Sequence, residues 1–107
     1  MPQQFLYRIQ PTRPAMLTEG LTEREDAIIG EHFAYLSRLV DDGRVFMAGR
    51  TLETDERSFG IVVFHAETPE DAAALMQGDP AVRHGVMRAE LFPYRIALWS
   101  SQRPEGL

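Results

Sequence analysis

From Gln4 to Gln10 the chain alternates, with Phe5, Tyr7 and Ile9 on one side and Leu6, Arg8 and Gln10 on the other. That period of two predicts a strand. Pro11-Thr12-Arg13-Pro14 ends it, because proline has no N–H to give a ladder, and a loop follows from Ala15 to Leu21. Thr22-Glu23-Arg24-Glu25 matches the Thr-x-x-Glu capping box and predicts a helix that starts there and runs to Gly43, whose missing Cβ suits a left-handed exit. On a wheel of about 100° per residue, Ile28, Ile29, His32, Phe33, Tyr35, Leu36, Leu39 and Val40 share one arc, opposite Glu31, Ala34, Ser37, Arg38, Asp41 and Asp42. Val45 to Thr51 and Phe59 to Ala66 read as strands joined by the polar stretch Leu52 to Ser58. Thr68-Pro69 supplies a cap followed by a proline at the first helical position, and Ala72, Ala73, Leu75 and Met76 carry a short helix to Gly78. Met87 to Trp99 reads as a long final strand.

The order is βαββαβ, a ferredoxin-like α+β fold with an antiparallel sheet, in one domain spanning residues 1–107. Its usual strand order places the last strand at an edge, where Pro93 is tolerated. The third strand, Phe59-Gly60-Ile61-Val62-Val63-Phe64, is apolar on both of its faces. Two helices cover one face of a four-stranded sheet, so the other face is expected to pack on a second copy, giving a homodimer built as an α+β barrel.

Charge and composition remove several classes of function. A net charge of −5 opposes nucleic-acid binding, which needs a basic surface to release counterions. All 11 basic residues are arginine, a side chain suited to fork-like pairing with carboxylates, and Arg8, Arg13, Arg50, Arg88 and Arg95 are available to converge on a small anion. The chain has no cysteine, which removes thiol catalysis, thiolate metal sites and disulfides. Met1-Pro2-Gln3-Gln4-Phe5 lacks the basic and apolar regions of a secretory signal, and no stretch approaches the roughly 20 apolar residues that span a bilayer. The expectation is a cytoplasmic protein with no membrane partner.

Chemistry is concentrated at His32, an ionisable imidazole near the middle of the helix's apolar arc. Facing a core, it needs hydrogen-bond partners, and a nearby carboxylate would fix its tautomer and raise its basicity. Asp79 is the leading candidate. Each residue also has a plainer reading: His32 as a satisfied core histidine, and Asp79 as the turn residue of Gly-Asp-Pro, bonding local backbone N–H groups. His32, His65 and His84 lack a paired ligand spacing such as His-x-x-x-His, so no metal site is expected. Ser58 has no nucleophile elbow around it. No glycine-rich phosphate loop follows a strand, and no nicotinamide, flavin or nucleotide cofactor is expected.

Four pieces in register, Phe5-Leu6-Tyr7, Glu31-His32-Phe33-Ala34-Tyr35-Leu36, Ala48-Gly49-Arg50 and Gly78-Asp79-Pro80-Ala81-Val82, resemble the YciI-like proteins over nearly the whole chain. The resemblance implies a dimeric α+β barrel with a proposed His-Asp active site, carried here by His32 and Asp79. Most members have no assigned reaction. A few are associated with degradation of aromatic compounds, including dehydrochlorination of a chlorinated hydroxyhydroquinone. The chain departs from the shorter members in its extended Pro11-to-Leu21 loop and in having Arg50 where many carry proline, differences that bear on the substrate more than on the fold.

With that resemblance, Asp79 would orient the imidazole and stabilise its protonated form, leaving the other ring nitrogen to move a proton. Gly49 would permit close backbone approach, Arg50 would hold an anionic substrate or stay solvated at its strand end, and Tyr35 and Tyr94 would bond a substrate oxygen or serve as core aromatics. The favoured reading is a small cofactor-independent enzyme doing acid–base chemistry (proton abstraction, elimination or isomerisation) on a small, aromatic or carbonyl-bearing molecule. Its rival is a non-catalytic dimeric ligand-binding or accessory protein. A cofactor-independent monooxygenase rests on fold analogy alone.

Overall fold

The alternating and helix-period stretches of the chain become four strands and two main helices. In the computed structural model, which describes residues 2–106, β1 (Gln3–Pro11), β2 (Val45–Arg50), β3 (Gly60–Ala66) and β4 (Met87–Tyr94) form an antiparallel sheet in the order β2-β3-β1-β4. This is the ferredoxin-like order, with β4 and its Pro93 at an edge as the sequence predicts. Four helices accompany the sheet: α1 (Met16–Glu19), α2 (Glu23–Asp41), α3 (Pro69–Gly78) and α4 (Pro80–Arg83). The short α1 and α4 lie in segments that sequence patterning leaves irregular, since one helical turn is too short to show a period. Among the described residues no helix is long and apolar enough to cross a membrane.

Pairing fixes which residues share a face. Phe5 stands opposite Phe64 and Pro93, and Tyr7 opposite Val62 and Leu91, so these side chains project to the side the helices cover. Phe5, Tyr7, Val45, Val62 and Phe64 are all at or below 2% exposed, each aliphatic or aromatic side chain contributing on the order of 1.5–3 kcal/mol by burial. The Phe64 ring meets Phe5 at 5.9 Å and Tyr7 edge-on at 5.7 Å. From α2, Leu36 and Leu39 enter this core, and from α3, Ala72, Leu75 and Met76.

Two expectations need correction. Phe33 and Val40, placed on the apolar arc, are 73% and 44% exposed. They stand about 100° and 80° around the helix from His32, past the edge of the strip a helix can press onto a sheet. The final strand ends at Tyr94 and does not reach Trp99, because its only partner runs out: Tyr94 pairs with Gln4, next to the first residue of β1. Beyond it the chain turns onto the face the helices leave open. The Ile96 N–H bonds the Gln4 side-chain oxygen at 2.6 Å, and the Trp99 ring stands edge-on to Phe46 at 5.4 Å, with Phe46 stacked on His65.

That far face carries Leu6, Ile61, Val63, Met47 and Phe92, by register with the residues just named. Val63 is already buried and Ile61 half-buried within a single chain, so part of the double-sided burial of β3 is internal. Met47, Phe92 and Trp99 remain 48%, 40% and 63% exposed.

At the start of α2 the capping box forms as the sequence predicts. The Thr22 hydroxyl accepts from the Glu25 N–H at 3.1 Å and the Glu25 carboxylate accepts from the Thr22 N–H at 2.9 Å. Arg13 adds a two-pronged pair to the same carboxylate, at 2.6 and 2.9 Å. The Arg13 bonds first, then the Thr22 N–H, hold the Glu25 carboxyl down to about 2. A carboxyl lowered on folding contributes stability above its unfolded value of about 4.3 and loses it as pH falls toward the folded one. Urea midpoints of the wild-type chain should therefore fall between pH 5 and 2, and Glu25→Gln should flatten that fall while lowering the midpoint at pH 7.

Candidate functional site

Asp79 sits where α3 ends and α4 begins, capping the first with its backbone and the second with its side chain. The proline after it biases its backbone toward extended geometry, here φ −64° and ψ 121°. Its Oδ1 accepts the Ala81 N–H at 2.9 Å. This is the local turn bond that Gly-Asp-Pro suggests, yet the carboxylate does more. Nδ1 of His32 lies 2.7 Å from Oδ1 and 2.9 Å from Oδ2, although 47 residues separate the two in sequence. From beneath, the Tyr7 hydroxyl donates to Oδ2 at 2.7 Å.

Asp79 is fully buried, and the His32 side chain is 14% exposed. A carboxylate out of water must be fully hydrogen-bonded, and three donors from β1, α2 and α4 meet that demand. With Nδ1 against the carboxylate, the neutral imidazole carries its proton there, leaving the Nε2 lone pair unused among the described residues. Burial first, then the charge of Asp79, push the Tyr7 phenol far above its ordinary value, so it remains a donor.

Tyr7 is the residue that sequence reasoning misses at this site. The signal was present: alternation places it on the buried side of β1, and a buried tyrosine hydroxyl requires a partner.

The other candidates are dispersed. Tyr35, one turn beyond His32 on α2, donates its hydroxyl to the Leu75 carbonyl at 2.6 Å and so bridges α2 to α3. Its phenol is raised by burial, then by the Asp79 charge. Within the chain a Cβ at Gly49 would meet nothing within 4 Å; the close approaches are at Gly78, where a Cβ would lie 2.9 Å from the Tyr35 hydroxyl, and at Gly60, where it would lie 3.2 Å from the Gly49 carbonyl oxygen. Arg50 ends β2 opposite Gly60, on the helix-covered side at the sheet edge, and is exposed. Tyr94 pairs with Gln4 and therefore belongs to the far face, away from His32. A cavity of about 550 Å³ is lined by Tyr35, Arg44, His65, Glu67, Asp71 and Leu75 among others, and not by His32 or Asp79. No cluster of three histidine or carboxylate side chains fit for a metal occurs among the described residues.

The family model for the YCII-related domain matches residues 5–95. Among solved structures the chain is similar to a 5-chloro-2-hydroxyhydroquinone dehydrochlorinase (TftG) from Burkholderia phenoliruptrix AC1100, solved in complex with 2,5-dihydroxybenzoquinone. The two are 20% identical, with a TM-score of 0.63 over 86% of this chain and 93% of that one. A likeness at that identity shows the fold. No curated protein matches the chain.

The contact between Gly78 and Tyr35 gives a test of how the helix junction is held. Gly78→Ala should destabilise the wild-type chain by about 1–2 kcal/mol, since the phenol must leave the Leu75 carbonyl. In Tyr35→Phe the same change should be neutral or stabilising, because the obstruction is gone and alanine favours helix. Urea denaturation of the four variants measures the coupling.

Proposed function

Because the chain belongs to the YCII-related domain family, and because His32 and Asp79 form a buried pair with Nε2 left free, we propose that it is a small cofactor-independent enzyme using His32 for proton transfer. The single observation that carries this reading is the 2.7 Å contact between His32 Nδ1 and Asp79. In that arrangement Nε2 takes a proton from a substrate O–H or C–H, forming N–H as that bond breaks. The electron pair released then expels a leaving group or moves to a second atom that is reprotonated. Asp79 stabilises the imidazolium so formed, which later gives its proton to product or water.

The fold shared with the dehydrochlorinase makes loss of HCl from a chlorinated hydroxylated ring the first reaction to try. There the proton goes to His32 and chloride leaves, with no external oxidant. The rival reading, a ligand-binding or accessory protein, is favoured by one observation: the 550 Å³ cavity is walled by Tyr35 and Arg44 rather than by His32.

Chloride release from 5-chloro-2-hydroxyhydroquinone, measured in excess chelator, separates the two. His32→Ala should lower turnover by about 10²–10⁴-fold with the fold retained, Asp79→Asn by as much or less, and the double variant by far less than the product. Turnover that survives in His32→Ala, alongside a lowered melting temperature, would make His32 a structural residue. Binding of 2,5-dihydroxybenzoquinone without any turnover in the wild-type chain would favour the binding protein.

The same reading includes a homodimer. What supports it is the far face, where Met47, Phe92 and Trp99 stay exposed around Leu6 and Ile61, and where the Arg8 Nε atom is buried with no partner. The face carries Arg8, Arg88 and Glu90 together, so two copies related by a twofold axis offer each other opposite charges. An interface of this kind covers on the order of 2,000 Å². Small-angle scattering at micromolar concentration should give the mass of two chains; a compact monomer would contradict it.

A further inference from the structure

We infer that Tyr7 is a positioning residue of this site, holding the Asp79 carboxylate from below and limiting how strongly that carboxylate draws a proton onto His32. The inference rests on the acid–base reading above, but its geometry stands on its own. Tyr7 belongs to β1, which is paired on both sides, by β3 through Val62 and by β4 through Leu91. Its ring is fully buried and packed edge-on to Phe64 at 5.7 Å. The hydroxyl is therefore delivered from one of the two central strands of the sheet, whereas His32 comes from a helix whose outer side faces solvent.

The donors divide the two oxygens. Oδ1 takes the Ala81 N–H and His32, and Oδ2 takes Tyr7 at 2.7 Å and His32 at 2.9 Å. Each donor stabilises the carboxylate charge, so a bond from Tyr7 reduces what the same charge gives to an imidazolium. Tyr7 thus does two things: it blocks rotation of the carboxylate away from His32, and it keeps the pair from trapping the proton that catalysis must release. The phenol stays neutral at any physiological pH, because burial and the neighbouring carboxylate both oppose phenolate. The ionisable groups that act here are Tyr7 from β1, His32 and Tyr35 from α2, and Asp79 itself, with the charges of Arg44, Arg38 and Arg83 felt at Tyr35.

Histidine side-chain NMR on the intact protein tests this without a substrate. Tyr7→Phe keeps the ring and removes only the donor, so the His32 titration midpoint should rise by about one pH unit. The acid limb of the pH–rate profile should move with it. Tyr35→Phe should leave the midpoint unmoved, since that hydroxyl serves the Leu75 carbonyl. If Tyr7→Phe does not fold, 3-fluorotyrosine at position 7 gives the opposite sign: a more acidic phenol is a stronger donor, and the midpoint should fall. An unmoved midpoint in either Tyr7 variant, or a shift of the reverse sign, overturns the inference. A shifted midpoint with no effect of His32→Ala on turnover would leave Tyr7's coupling standing and remove the catalytic reading.

Discussion

A carboxylate sealed from water is the constraint around which this molecule is arranged. Asp79 has no access to solvent, so its charge must be met entirely by donors within the chain. Those donors come from three places far apart in sequence: the first strand, the middle of the long helix, and the turn that Asp79 itself caps. Losing any one leaves a buried acceptor short. The carboxylate therefore ties β1, α2 and the α3–α4 junction together beside the apolar core around Phe64.

The same arrangement resolves a conflict between stability and chemistry. Buried ion pairs are poor stabilisers on average, since desolvating two charges costs about as much as their attraction returns. Here His32 need not be charged for the network to be complete, because a neutral imidazole with its proton on Nδ1 is still a donor to Asp79. The pair can pass through the imidazolium form without rebuilding its hydrogen bonds. A site with that property can hold a proton briefly and give it back.

Most of the frame was legible in the sequence because it rests on local rules. Thr22 and Glu25 announced the start of α2, Thr68-Pro69 the start of α3, and Gly43, at φ +77°, the left-handed exit after α2. His32 stood out as a polar residue at the centre of an apolar arc. The Asp79 partnership was harder, because Gly-Asp-Pro explains itself as a turn, and the carboxylate indeed makes that turn's bond to Ala81. Tyr7 escaped because a tyrosine on the buried side of a strand reads as core, which it also is. In both cases one side chain does a local and a long-range job, and only the local one leaves a pattern. Phe33, Val40 and the segment after Tyr94 failed differently: a wheel does not say how wide a strip the sheet will cover, and a strand's own alternation does not say where its partner ends.

Alternation along β1 finally ties the site to the opposite side of the sheet. Tyr7 points to the helices, while its neighbours Leu6 and Arg8 point to the far face, where Arg8 meets Glu90 across the strand pair. A slip of one residue in the pairing of β1 would lift Tyr7 from under Asp79 and at the same stroke drive Arg8 into the apolar core. The cost of burying that guanidinium, several kcal/mol if unpaired, protects the register far more strongly than the single hydroxyl bond does. The precision of the site thus depends on residues that never touch it: the polar and apolar pattern on the far side of β1 holds Tyr7, and through it Asp79 and His32, in place.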